Sequence, residues 1–222
     1  MKKSELINII QGLKVFSNPK LKYEQYITDA ISTADLMFHL TFTKGDLQNN
    51  IIVDLGCGSG NLTVAAAILG AKKVISVDID PDAIKILKEN LTTYDLQSKV
   101  EIIQADLQKE SILPQIQNIT KKDLLENSNA KIVVISNPPF GVKNKGVDVA
   151  FLNQALQFAD VIYSIHLANT KTQVYLEEKI PKLGGFILER STLYLTLKHT
   201  YKHHNKAQKS VQTDIYRIIP RK

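Results

Sequence analysis

The sequence predicts an α/β fold: a seven-stranded, mostly parallel sheet with helices on both faces and an antiparallel pair at one edge. Three observations carry this expectation. Apolar strand-like runs alternate with helical patterns through most of the chain, which argues for parallel strands joined by helical crossovers. A glycine-rich turn follows the first of those runs and opens a helical pattern. The last two runs succeed each other with no helical pattern between them, as antiparallel neighbours can.

The elements follow in order. Residues 1–45 hold two helical patterns, and the second, ITDAISTADLMFHL, sets Ile27, Ala30, Ile31, Ala34 and Phe38 on one face. The strand-like runs are NIIVDLGCG, KKVISVDID, KVEIIQAD, KIVVISNPPF, DVIYSIHL, GGFILERSTLYLTL and SVQTDIYRII. Helical patterns NLTVAAAILGA, PDAIKILKENLTTY and DVAFLNQALQFA lie among the first five. Residues 107–130 are polar and irregular and read as a loop insertion. There is no internal repeat or low-complexity tract, so the expectation is one domain over residues 1–222: a helical segment 1–45 and a core 46–222.

Composition narrows the function classes. With 222 residues, 44% hydrophobic and 23% charged, the chain has the make-up of a soluble globular domain. No run approaches the roughly 18–20 apolar residues of a membrane span. The start, MKKSELINIIQGLKVF, lacks a clean signal-peptide core and a cleavage site. The expected location is therefore the cytoplasm, or the nucleus in a eukaryote. The single cysteine, Cys57, excludes an internal disulfide framework and a multi-cysteine zinc site. A net charge of +6 and a pI near 9.2 favour a polyanionic partner, although a lysine-rich surface serves solubility equally well.

The turn VDLGCGSGN carries the first chemistry. Gly56, Gly58 and Gly60 let the backbone turn sharply and approach a ligand closely. The next strand ends in Asp78, 24 positions after Asp54, where a carboxylate suits a ribose diol. A third strand ends at Asp106, on the same sheet edge. Dinucleotide folds show G-x-G-x-x-G with a pyrophosphate on the helix N-terminus. The pattern here is D-x-G-x-G-x-G, and an acid beside the loop repels a pyrophosphate but tolerates a cation. S-adenosylmethionine, which carries an ammonium and a sulfonium and no phosphate, fits that electrostatics.

The second motif is SNPPF, residues 136–140. Pro138 and Pro139 stop the fourth strand, because they cannot donate to a ladder. A planar amine is a poor nucleophile, since its lone pair is delocalised. Two acceptors on its N–H groups favour a pyramidal nitrogen and turn the lone pair outward. The Asn137 side-chain oxygen and the Pro138 carbonyl are candidates, the prolines hold the carbonyl still, and Phe140 offers a stacking face. By itself Asn-Pro is a common turn starter. Downstream of the glycine loop and Asp78 it reads as a clamp for a flat amine.

Together these residues resemble the class I (Rossmann-like) methyltransferases that act on amines. More narrowly, NPKLKYEQYIT, GVKNKGVDVAFL, VIYSIH and YKHHNKAQKSVQTDIYRI resemble methyltransferase-like protein 5 and its archaeal relatives, over nearly the whole chain. The resemblance implies S-adenosylmethionine-dependent N6-methylation of an adenosine in small-subunit ribosomal RNA. It also implies a closing segment over the cofactor bearing Gln25 and Thr28, with Ile27 where the family has proline. Gly56, Ser59, Asn61, Asp78, Asp106 and Leu107 fall where the family contacts the cofactor. A small zinc-binding activator subunit is implied as heterodimer partner. The short apolar strand VEIIQAD, expected at the sheet edge, offers it a pairing surface unless the N-terminal helices or 107–130 cover that edge.

Basic residues past the clamp, Lys143 and Lys145, and in the final loop, Lys202, Lys206 and Lys209, are candidate phosphate contacts. Solvated turns carry such charge runs too. His203 and His204 lack a cysteine or acid cluster and make a poor metal site, so no metal is expected. His166 reads as structural or substrate-side. Other readings of the same clamp are DNA adenine, a guanine amine or a protein glutamine as substrate, or a non-catalytic RNA-binding module on the fold.

Overall fold

The structure, a computed structural model, describes residues 1–141, 145–198 and 208–221. One seven-stranded sheet organises the molecule. Its strands are β1 (Ile51–Leu55), β2 (Lys73–Asp78), β3 (Val100–Gln104), β4 (Ile132–Ser136), β5 (Val161–Leu167), β6 (Gly185–Lys198) and β7 (Gln208–Pro220). They lie in the order β3-β2-β1-β4-β5-β7-β6. The first five pair in parallel, and β7 runs antiparallel to both β5 and β6. The antiparallel pair stands at one edge, as the sequence predicts.

Two apolar layers cover the sheet because its strands alternate. In β1, Ile52 faces one cluster while Ile51, Val53 and Leu55 face the other. The first face packs under α1 (Lys3–Gln11), α2 (Ala30–Phe38), α3 (Asn61–Ile68) and α4 (Pro81–Thr93). The second packs under α5 (Leu113–Glu126), α6 (Val147–Ala155) and α7 (Thr170–Lys182). Leu6, Ile10, Leu36 and Met37 sit in the first cluster, so the N-terminal helices are part of the core.

Four expectations need correction. The stretch 107–130 is not a loop but contains α5, fourteen residues long. Only Ile116 and Thr120 of that helix are buried, so its apolar stripe is too thin to rise above the surrounding Gln, Asn and Lys. Helix α7 follows β5 unannounced for the same reason, with Leu176 and Ile180 its only buried residues. Within α2 the expected face holds in part: Ala34 is buried and Ala30 and Phe38 pack against the core, but Ile31 is 56% exposed, and Leu36 and Met37, outside that face, are buried. Ile27 lies ahead of that helix, whose cap Asp29 accepts from the amides of Ile31 and Ser32. Finally, Lys209 lies within β7 rather than in the loop before it.

Candidate active site

Strand register builds the site. Leu55 pairs with Val77 on one side and with Ser136 on the other. The residues that follow these three, Gly56, Asp78 and Asn137, therefore emerge side by side where the strand order reverses. That is where ligands bind in open α/β sheets. A cleft of about 320 Å³ opens there. Gln25, Gly56, Gly58, Asp78, Asp106, Leu107, Asn137 and Pro139 line it. Thr28, Ser59 and Asn61 line a smaller recess of about 40 Å³ that shares Gly56, Gly58 and Asn137 with the cleft.

The glycine loop needs its glycines for two different reasons. Gly56 has φ 74°, and a Cβ there would lie 2.9 Å from the Phe151 ring. Gly60 has φ 94° and caps α3, and a Cβ there would lie 2.3 Å from Leu87. The first keeps the cleft open beside Phe151, while the second lets α4 pack on the loop. Asp78 fixes the loop between them: its Oδ2 accepts from the Gly58 amide at 2.8 Å and its Oδ1 from the Asp80 amide at 2.9 Å. Burial pushes the Asp78 carboxyl upward, against the pull of those amides.

Asn137 is held by the N-terminal segment. Its Nδ2 donates to Thr28 Oγ1 at 3.0 Å, while its Oδ1 is buried with no hydrogen-bond partner among the described residues. Thr28 is itself fixed, since its carbonyl accepts from Asn61 Nδ2 at 2.9 Å and from the Thr33 hydroxyl at 3.2 Å. Three motifs distant in sequence thus meet around one amide. Its acceptor face is left over, which is the half that an amine needs.

Several expected residues sit elsewhere. Asp54 lies beneath the loop, 1% exposed, with Oδ2 accepting from Thr63 at 2.7 Å and Oδ1 unpartnered. Burial, with the nearby Asp78 charge, pushes it up to about 7. Gly60 and Pro138 shape the backbone without lining the cleft. Phe140 is half-buried, packs against the first core cluster and is not among the residues that line the cleft. Lys145 is exposed just ahead of α6. Lys143, Lys202 and Lys206 lie outside the described residues, as do His203, His204 and the side chain of Lys209. His166 is buried, hydrogen-bonded to the Ser164 hydroxyl at 2.8 Å, and driven down to about 3 by burial, so it is neutral.

Sequence reasoning missed Phe16, Tyr23, Tyr26, Lys109, Val147 and Phe151, which also line the cleft. Their signal is weak, because isolated aromatics and valines look like core. It also missed Asp80, which sits in the DID turn two residues past Asp78.

A sheet in this order, with its reversed final hairpin and a glycine loop facing an Asn-Pro-Pro turn, is the architecture of the class I S-adenosylmethionine-dependent methyltransferases, to which this chain belongs. A family model described as ribosomal protein L11 methyltransferase (PrmA) matches residues 36–138. Full-length relatives narrow this. The chain is 31% identical to the rRNA N(6)-adenosine-methyltransferase METTL5 of Danio rerio, over 99% of this chain and 100% of that one. It is 36% identical to the Methanocaldococcus jannaschii protein MJ0284, over 98% and 94% of the two chains. The solved structure of Pyrococcus horikoshii PH1948 superimposes with a TM-score of 0.82 at 32% identity, covering 100% of this chain and 99% of that one. The chain belongs to the METTL5 family of rRNA adenosine methyltransferases.

Proposed function

We propose that this chain methylates N6 of an adenosine in small-subunit ribosomal RNA. One observation carries the chemistry: a buried, unpartnered Asn137 Oδ1 beside the cleft, with the other end of the same amide tied to Thr28. A buried acceptor without a donor costs about 1–3 kcal/mol, which an incoming N–H recovers. The full-length relatives support adenosine as the source of that N–H, since they are named for N6-adenosine methylation of rRNA. The L11 methyltransferase match ends at Pro138 and spans the half that holds the glycine loop, so it supports the cofactor and not the substrate.

The residues divide the work. S-adenosylmethionine, when bound, supplies a methyl group on a cationic sulfur. Asp78 retains free lone pairs after accepting two amides, and these suit the ribose hydroxyls. Gly56 and Gly58 give that ligand close backbone approach, flanked by the Phe151 and Phe16 rings. Gln25, Thr28, Ser59, Asn61, Asp106 and Leu107 complete the wall. Asn137 Oδ1 takes one amine hydrogen and turns the nitrogen lone pair into the cleft. Asp54 supports the loop from below, through Thr63.

The same reading extends to partners. Lys145, with the lysines outside the described residues, would grip phosphates flanking the target, giving salt-dependent binding. The outermost strand β3 pairs with β2 alone among the described residues, so its outer side can accept a strand from the zinc-binding activator subunit. Among those residues no helix is long and apolar enough to cross a membrane. The substrate sets the location as the cytoplasm, or the nucleus in a eukaryote.

The test offers purified small- and large-subunit rRNA separately, with S-adenosylmethionine, and analyses nucleosides by mass spectrometry. N6-methyladenosine in the small-subunit RNA alone is expected. Label on the large-subunit RNA, on another nucleoside or on protein overturns the assignment.

A further inference from the structure

Asp80 is 1% exposed, yet no part of the proposed chemistry uses it. Its backbone amide donates to Asp78. Its side chain caps α4 by accepting from the Asp82 amide at 3.1 Å. Two further donors come from far away in sequence. Lys20 Nζ reaches its Oδ1 at 2.6 Å, and Gln25 Nε2 reaches its Oδ2 at 2.7 Å. Lys20 and Gln25 are also joined to each other, the Lys20 amide donating to Gln25 Oε1 at 2.7 Å. A second carboxylate, Asp82, takes Lys20 Nζ at 2.6 Å from the solvent side.

What these bonds hold is a segment without sheet pairing. Between Lys20 and Gln25 the chain makes one 3-10 turn and then a left-handed residue, Glu24, at φ 49°. A non-glycine residue in that region costs of order 1–3 kcal/mol, so the surroundings must impose the conformation. Lys22, Tyr23, Glu24, Gln25 and Tyr26 all line the cleft that Asp78 also lines. Asp80 therefore joins two parts of the cleft lining, bonding Asp78 through its amide and the segment 20–25 through its side chain.

We propose that Asp80 is a positioning residue, which latches the segment 20–26 across the cleft through Lys20 and Gln25 and so sets the residence time of S-adenosylmethionine. This rests on the reading of the cleft as the cofactor site. The geometry is a shared anchor: one carboxylate receives both tethers, and its backbone orients Asp78. Breaking the anchor loosens the cleft wall without touching Asn137 or the glycine loop.

Asp80→Asn is the suitable variant, since asparagine caps a helix as well as aspartate does. It withdraws the charge from Lys20 while keeping the shape. Losing a charge-assisted contact is expected to raise the Kd and KM for S-adenosylmethionine by about tenfold or more, with kcat at saturating cofactor within about twofold. Lys20→Met should do the same. The double variant should be no worse than Asp80→Asn alone, because the Lys20 linkage is already broken in that variant. A second readout is independent of turnover. Trypsin should cut after Lys22, which is exposed, faster in cofactor-free Asp80→Asn than in the unaltered protein. An unchanged Kd and cutting rate, a fall in kcat at constant KM, or additive single effects would overturn the latch. Failure of the unaltered protein to bind S-adenosylmethionine would instead overturn the cofactor reading beneath it.

Discussion

Asp46 and Asp54 are both 1% exposed and stand at opposite ends of the same sheet, yet the fold treats them in opposite ways. Asp46 precedes β1 and is saturated. Its Oδ2 accepts from the Tyr163 hydroxyl at 2.7 Å and from Arg217 Nη2 at 2.7 Å, and its Oδ1 from Lys131 at 3.3 Å. Burial would raise its pKa, but Arg217 and Tyr163 hold it below the ordinary carboxylate value. Asp54, at the carboxyl end of β1, has one hydroxyl partner and an orphaned oxygen. The contrast separates two uses of buried polarity. At the amino end both carboxylate oxygens of Asp46 are used to tie Lys131, Tyr163 and Arg217 together. At the carboxyl end Asp54 and Asn137 each leave one oxygen unpartnered among the described residues, and that end is where the cleft lies.

The sharpest way to break this contrast is at Asn137. Asn137→Ala should keep cofactor binding and lose about 10²–10³ in single-turnover methylation rate, the usual cost of one preorganised polar contact. A rate near that of the unaltered protein would show that the unpartnered oxygen is not a substrate acceptor.

Asp46→Ala probes the saturated end. It leaves Arg217 facing a cavity in place of its carboxylate, and removing one member of a buried pair costs about 3–5 kcal/mol. The lower part of that range is expected, because Arg217 is 20% exposed. Urea titration measures it, and cofactor affinity of the folded fraction should be unchanged. A loss below about 1 kcal/mol, the size of a surface pair, would refute the structural role.

Asp78→Ala should weaken S-adenosylmethionine binding by about 1.5–3 kcal/mol, the range for hydrogen bonds to a charged group. Calorimetry reads it directly, and an unaltered dissociation constant with an intact fold would place Asp78 outside the site.

The gentlest test is pH. The folded Asp54 carboxyl titrates near 7 against 3.8 for an ordinary aspartate, so the folded state binds the extra proton between those values. Its contribution to stability is therefore present at low pH and is lost as pH rises through that window. Asp46 works in the other direction: its depressed pKa gives stability above the ordinary value, which is lost on acidification. Asp54→Asn keeps an acceptor for Thr63 and should reduce the slope on the neutral side of the stability profile, leaving the part due to Asp78, without changing the acid side. Chemical denaturation at a series of pH values checks both limbs.

The sequence by itself determined whatever depends on local pattern. Five alternating strands, the left-handed glycine turn, the acid ending β2 and the proline stop after β4 are written in neighbouring residues, because pleat, φ restriction and ladder hydrogen bonding act over a few positions. Helices α5 and α7 escaped that reading because each buries only two side chains fully. Tertiary structure alone decided the partners. Thr28 meets Asn137 across 109 positions, Lys20 meets Asp80 across 60, and Arg217 meets Asp46 across 171. It also slid β7 between β5 and β6 and packed Phe140 against the edge of the first core cluster. No local propensity encodes such pairings. Strand register places Gly56, Asp78 and Asn137 together, and only then does the environment of each polar atom decide which of them is spent on the fold and which is left for a ligand.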